Sequence, residues 1–523
     1  MEKFNYFIKK YFYISLIFFA LGLFFGLLYS INLLGVNFHS EILSPVNTRS
    51  VHISLMLYGF IPLMLSYLPF LIINKDIGYD QKAVGYLEVY TIFWFVFLVY
   101  MVISLLLGVN RGLAFYDFHY SLNFILFLAG IFYAMALFRY IRLYKVIPLW
   151  IKVCLYVVVA SPFVLVVLMN PQIGQVEATV TGPHGDNTLG MSLALIPIYY
   201  LIFKYLDLND FKARWNIFWI IPLFCYVLSV LHRTFIGELS YTQEWFFQWL
   251  TFFYVPLLYR WYKDARIKSG SKRLLLISII AFLFVDIEGN ILFIESIRWI
   301  FHRNDLIVAH AHIAMGVGVL FMALSLYGDI IKQLQRKFFN LSYLLGMIVI
   351  LVSLSLSGFV QGGFASLDIN TLWGVRTSAG IIVICSLAVF IKIGTNYSGI
   401  EKYNLFGILS DALGGIILFV FAGFIYPIAG FTFHGEYEYV VFGFVSITGF
   451  IHFLALKYKE HQKILTFLTA SARVIISGIF FALFLKGLLG IEALLIAMYD
   501  FIFMSVYFIK FHNPYETKGE RNE

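Results

Sequence analysis

The chain has 523 residues, of which 61% are hydrophobic and only 13% charged, with a mean hydropathy of +0.86. A soluble domain carries about 25% charged residues, so the composition excludes a soluble fold, a disordered chain, a nucleic-acid-binding protein and a secreted disulfide scaffold, and points to a polytopic membrane protein. The net charge of +8, from 37 Lys+Arg against 29 Asp+Glu, belongs in cytoplasmic loops, where the basic residues of membrane proteins collect.

A membrane-spanning helix needs about 20 mainly apolar residues. The chain offers sixteen such runs, at 11–36, 50–74, 83–107, 118–140, 149–169, 184–206, 214–236, 244–262, 273–297, 306–330, 338–362, 370–394, 404–430, 438–457, 466–487 and 490–511. The expected fold is therefore an all-α polytopic helix bundle. With the N-terminus in the cytoplasm, only Arg49, Arg111, Arg233, Arg298, Arg303, Arg376 and Lys486 fall on the outer side, and the other 30 of the 37 basic residues fall inside. The positive-inside rule thus places both termini in the cytoplasm. The first run lacks a small-residue cleavage site and reads as a retained helix. Cys154, Cys225 and Cys385 all lie in predicted helices and form neither a CxxC nor a CxxCH haem-attachment motif.

The twelve histidines are distributed unevenly on this topology. His52 opens the second span, His184 the sixth, His232 ends the seventh, and His310 and His312 open the tenth. Five histidines from four helices thus share one depth, a short way below the outer surface. An ionisable or ligand-type side chain inside a span is a functional hypothesis by default. In His310-Ala311-His312 the two imidazoles are separated by about 200° of helical rotation. They point to opposite sides and cannot chelate one ion, whereas a zinc-protease helix uses i,i+4 spacing to keep both ligands on one face. Opposite faces suit a helix wedged between two cofactors, and imidazole is a standard axial ligand of haem iron.

The chain resembles the catalytic subunit I of haem-copper oxidases, and most of all that of the cbb-type (C-family) cytochrome c oxidases; nitric oxide reductases share the fold. The matching pieces are Arg49–His52, NTLGMSLALIPIYY (187–200), CYVLSVLHR (225–233), DIEGNILFIESI (286–297), LIVAHAHIAMGVG (306–318), SGFVQGGF (357–364) and LWGVRTSAG (372–380). The resemblance implies a twelve-span domain over 1–395, followed by about four extra spans over 396–523. It implies two b-type haems: His52 and His312 as ligands of a low-spin haem, His310 as the proximal ligand of a high-spin haem, and Arg376 on the propionates. Glu288 matches a family glutamate near the high-spin haem, and Tyr226 stands at the spacing of the cross-linked tyrosine. The second-metal site departs from the pattern. His184 and His232 are the candidate ligands there, but Asp186 falls on the sixth-span ligand position, and Arg233 stands where a second histidine is expected. The second metal is left open between copper and non-haem iron.

The resemblance implies reduction of oxygen to water in a bacterial inner membrane. The electrons would come from a c-type cytochrome subunit or a soluble cytochrome c. A nitric oxide reductase is the first alternative, with Asp186, Glu238 and Glu244 on the outer side. The second is a degenerate di-haem protein without the second metal, acting in electron transfer or gas sensing. The tail beyond 395 lies outside the match. Its Asp411, Arg473 and Asp500 are expected to pair with one another between helices.

Overall fold

The structure, a computed structural model, describes residues 2–36, 38, 40–112, 116–152, 185–209, 211–214, 216–301, 304–391, 398–428 and 435–511. Among the described residues every regular element is helical, and 14 helical stretches are long and apolar enough to cross a membrane. The chain is on this ground an integral membrane protein. The expected fifth span, 149–169, lies largely outside the described residues, as does Cys154.

Contacts divide the chain into two units. The first comprises Met1–Val36 and Glu41–Ile391, and the second Asn37–Ser40 and Lys392–Glu523. In the first unit, α1 (Glu2–Leu33) is followed by a span broken into α2 (Pro45–Tyr58), α3 (Ile61–Ser66) and α4 (Leu68–Ile77). The breaks fall just before Pro62 and Pro69, whose rings displace the carbonyl four residues earlier and lack an N–H. The Ser44 side chain caps α2 with Pro45 at its first position, and Asp80 caps α5 (Gln81–Leu106) by accepting from the Ala83 N–H at 2.8 Å. There follow α6 (Asn123–Ile141), α7 (Gly185–Leu206) and α8 (Ile217–Phe235).

The expected span 244–262 is built differently. It is two helices, α9 (Tyr241–Trp249) and α10 (Tyr254–Asp264), joined by the 3₁₀ turn Leu250–Phe253. Pro256 has no N–H to give to the carbonyl of residue 252, which accounts for the break. Next come α11 (Ser269–Leu292), α12 (Glu295–Phe301), α13 (Asp305–Ile313), the π-helical segment Ala314–Val319 and α14 (Leu320–Ser325). The unit closes with α15 (Lys337–Gln361) and α16 (Ile369–Ser386). Its core is aromatic-rich and includes fully buried Tyr67, Tyr199, Tyr327 and Phe203.

The second unit contains α17 (Gly399–Gly407), a π-helical segment Ile408–Leu413, α18 (Gly414–Ile428), α19 (Glu436–Lys457), α20 (Gln462–Leu485) and α21 (Ile491–Lys510).

Candidate functional site

The site is organised by α13, which carries His310 and His312. Its start is fixed by neighbouring helices. The Asn304 side chain accepts from Leu306 N–H at 2.9 Å, and Gln361 Oε1 accepts from Asp305 N–H at 2.8 Å. The Trp373 indole donates to Asp305 Oδ2 at 2.9 Å, and Ser357 donates to the same oxygen. Gly358 allows α15 to approach, since a Cβ there would lie 2.6 Å from Leu306 N.

His312 faces His52 of α2. Their ring centroids are 6.1 Å apart and their planes differ by 25°. His52 Nδ1 lies 2.8 Å from Gly22 O, and His312 Nδ1 lies 2.8 Å from Val308 O. A carbonyl only accepts, so each Nδ1 carries the proton and each Nε2 keeps a free lone pair. An imidazole nitrogen binds a first-row metal at about 2 Å, and the ring centroid lies about 1 Å behind that nitrogen, so two imidazoles across one ion have centroids roughly 6 Å apart. The pair has that spacing and the tautomers that ligation requires. Gly26 makes room for it: a Cβ there would lie 2.5 Å from His52 Nδ1.

His310 turns away from this pair. Its Nδ1 lies 3.2 Å from Glu288 Oε2 on α11, a carboxylate–histidine arrangement that orients a ligating ring and raises its basicity. Gly289 sits beside the ring, where an added Cβ would touch His310 Cε1 at 3.4 Å. The two histidines of α13 thus address two different helices.

Arg376 on α16 donates from Nε to Ser30 Oγ at 3.0 Å and stacks over Trp373 at 5.6 Å. Its Nη2 is buried without a hydrogen-bond partner. A buried guanidinium nitrogen left in that state is a place for an anionic group.

The remaining expected residues do not converge in the same way. His232 Nδ1 donates to Gly237 O at 3.1 Å, and the side chain borders a cavity of about 320 Å³ with Ser229 and Phe246. Arg233 pairs with the buried Glu244 at 2.6 Å. The Tyr226 ring packs on α7, where a Cβ at Gly190 would come within 2.8 Å of it. His184, the Asp186 side chain and His302 lie outside the described residues. Among the described residues no group of three or more His, Cys, Asp or Glu side chains gathers as a metal site.

Sequence reasoning did not foresee the polar layer beside Glu288. Tyr254 donates to the buried Asp286, and Asn290 Nδ2 reaches Asp286 O at 2.8 Å and Thr251 Oγ1 at 3.4 Å. Gln248 is buried in the same region. The available signal was an acid two residues before Glu288 in an otherwise apolar span. Compared with known proteins, the chain matches no family model, and no curated protein matches it by sequence.

Proposed function

We propose that the chain is a haem-bearing respiratory subunit, similar to the catalytic subunit of haem-copper oxidases, that reduces oxygen to water with electrons from a c-type cytochrome partner. The observation that carries the proposal is the pairing of His52 with His312 at 6.1 Å, while His310, two residues away, turns to Glu288. In this reading His52 and His312 hold a low-spin haem, His310 holds a high-spin haem, and the buried Arg376 Nη2 meets a propionate. The donor set fits the group: the His52 and His312 rings have Nδ1–H donated to carbonyls, His310 has Nδ1 turned to a carboxylate, and one guanidinium nitrogen lacks a partner. When bound, haem supplies the iron that carries the electron and an open position for a gas. The protein holds the imidazole tautomers through Gly22 O and Val308 O, strengthens His310 as a ligand through Glu288, and keeps the two sites apart by the width of α13.

Among the described residues, Arg233, at the position where the family has a second histidine, does not fit a copper centre of the family's kind. A guanidinium keeps its protons and does not ligate, and Arg233 is engaged with Glu244. That ion pair favours a second reading, a di-haem membrane protein without a second metal, in electron transfer or gas sensing. The nitric oxide reductase reading rests on Asp186, Glu238 and Glu244, and of these Glu244 is engaged with Arg233. The placement proposed is a bacterial inner membrane with both termini in the cytoplasm.

The test is purification of the full chain, a reduced-minus-oxidised spectrum, metal analysis and oxygen consumption. Two haems with oxygen turnover support the first reading. Two haems without copper or turnover of oxygen or nitric oxide support the second. A protein without a Soret band overturns both.

A further inference from the structure

The second unit holds charged groups that the haem reading does not use. Arg473 of α20 bridges two carboxylates, donating from Nη1 to Asp500 of α21 and from Nη2 to Asp411. All three are buried. Asp411 lies in the π-helical segment, a local widening that often marks functional positions. Two carboxylates against one guanidinium leave one uncompensated negative charge, which is costly inside a membrane.

His452 of α19 supplies the missing element. It is fully buried, and its Nε2 has no hydrogen-bond partner. Its protonation is constrained by a chain of fixed donors. Asn404 Nδ2 donates to Ile400 O at 2.9 Å, which orients the amide, so Asn404 Oδ1 faces His452 Nδ1 at 2.8 Å. Nδ1 therefore carries the proton, and Nε2 of the neutral ring presents a bare lone pair. That lone pair lies 3.8 Å from Asp411 Oδ2. Two acceptors face one another beside an unbalanced charge, and one added proton resolves both problems.

The packing is built around this arrangement. A Cβ on Gly407 would lie 2.3 Å from the His452 ring, and one on Gly449 would lie 2.0 Å from Ala412 N, so both glycines are needed for α19 to meet the π segment. Tyr403, Tyr499 and Tyr507 are the other titratable groups facing the cluster from α17 and α21. Phenols with an ordinary pKa of about 10 remain neutral and do not balance the charge. Thr466 joins Asn404 to the first turn of α20 by donating to Gln462 O at 2.7 Å, which extends the polar file toward the end of that helix. A sodium ion takes about six oxygen ligands, whereas here one oxygen of each carboxylate is bound to the guanidinium and the other oxygen of Asp411 accepts from Ser410.

We propose that the Asp411–Arg473–Asp500–His452 cluster is a proton-binding site, which takes one proton from water and returns it to water without electron transfer. Its protonation belongs to the cluster as a whole and not to one residue. The test is infrared difference spectroscopy of the full-length protein in lipid vesicles as pH is stepped between about 5 and about 9, the range of histidine switches. The expected result is a carboxyl or imidazole band change that is lost in His452→Gln and kept in His461→Gln, an exposed neighbour. Asp500→Asn is nearly isosteric and leaves Arg473 balanced by Asp411 alone, so it too is expected to lose the change. A wild-type spectrum without such a change overturns the proposal in favour of a permanently ionised structural pin, even if no variant folds. An unaltered change in Asp500→Asn, or a response to sodium at constant pH and not to protons, also overturns it.

Discussion

The proposed low-spin haem pair, His52 and His312, can be tested by moving a candidate ligand rather than deleting it. Ordinary contact begins at 3.4 Å, and a Cβ on Gly26 would stand 2.5 Å from His52 Nδ1, so Gly26→Ala drives the ring back by about 0.9 Å if the helices hold. The Nδ1–Gly22 O distance of 2.8 Å then stretches to about 3.7 Å, beyond hydrogen-bond range. The imidazole loses both its fixed tautomer and its aim. Loss of such a supporting contact weakens metal-site affinity by 10–100-fold, or about 1.4–2.7 kcal/mol, and crowding adds about 1–3 kcal/mol of instability. The assay is the low-spin haem band of the purified protein, normalised to protein. Gly85→Ala is the control, because an added Cβ there meets nothing within 4 Å. His52→Ala is expected to remove the band altogether and Gly26→Ala to diminish it, with the high-spin signal retained. A full low-spin band in His52→Ala would refute the assignment.

Three further outcomes are expected. Glu288→Gln replaces a carboxylate acceptor of His310 by a neutral amide; if His310 holds the proposed high-spin haem, its midpoint potential is expected to rise in a redox titration while that of the proposed low-spin haem stays. Tyr343→Phe leaves Gly316 O, which accepts from Tyr343 at 2.8 Å, without its partner. It lowers the melting stability by about 1–3 kcal/mol and reduces both haem bands together. Asp80→Asn keeps the α5 cap but loses the ion pair with Arg139 at 3.1 Å, worth about 0.2–1 kcal/mol at neutral pH. Burial works to raise the Asp80 carboxyl, and Arg139 with the Ala83 N–H outweighs it, so the group titrates below its ordinary range. Its contribution is present above the unfolded value of about 3.9 and is lost as pH falls through the folded value. Melting temperatures of wild type and variant are therefore expected to converge on acidification.

The separation of His310 from His312 was legible in the sequence because helical rotation depends only on residue spacing. The same rotation shows in the structure as contacts to two different helices. The partners of the imidazole Nδ1 atoms were not legible, because Gly22 O and Val308 O are backbone atoms that no residue type announces. The break between α9 and α10 was hidden because a hydropathy window averages over Pro256. Arg233 stood out as an odd residue in its segment, but its partner Glu244 lies eleven positions on, in another helix. The pairing of Asp411, Arg473 and Asp500 could be expected because charges in spans seek one another. The part played by His452 could not be, since it depends on how Asn404 is turned.

The π segment Ala314–Val319 begins two residues after His312, and its chemistry explains how α13 keeps its register. A π turn disturbs the regular i→i−4 ladder and leaves carbonyls to be satisfied from elsewhere. Two hydroxyls from different helices supply this: Tyr343 of α15 donates to Gly316 O, and Ser278 of α11 donates to Gly318 O at 2.6 Å. Tyr199 of α7 lies 2.7 Å from Ser278 and joins a third helix to the same point. At the other end, Asp305 is held by Gln361, Ser357 and Trp373. The helix carrying both candidate ligands is therefore clamped at both ends by side chains from α7, α11, α15 and α16. A rotation that improved His312 toward His52 would swing His310 off Glu288 by the same angle. The two candidate sites share one rigid support, and a change to that support is expected to register in both.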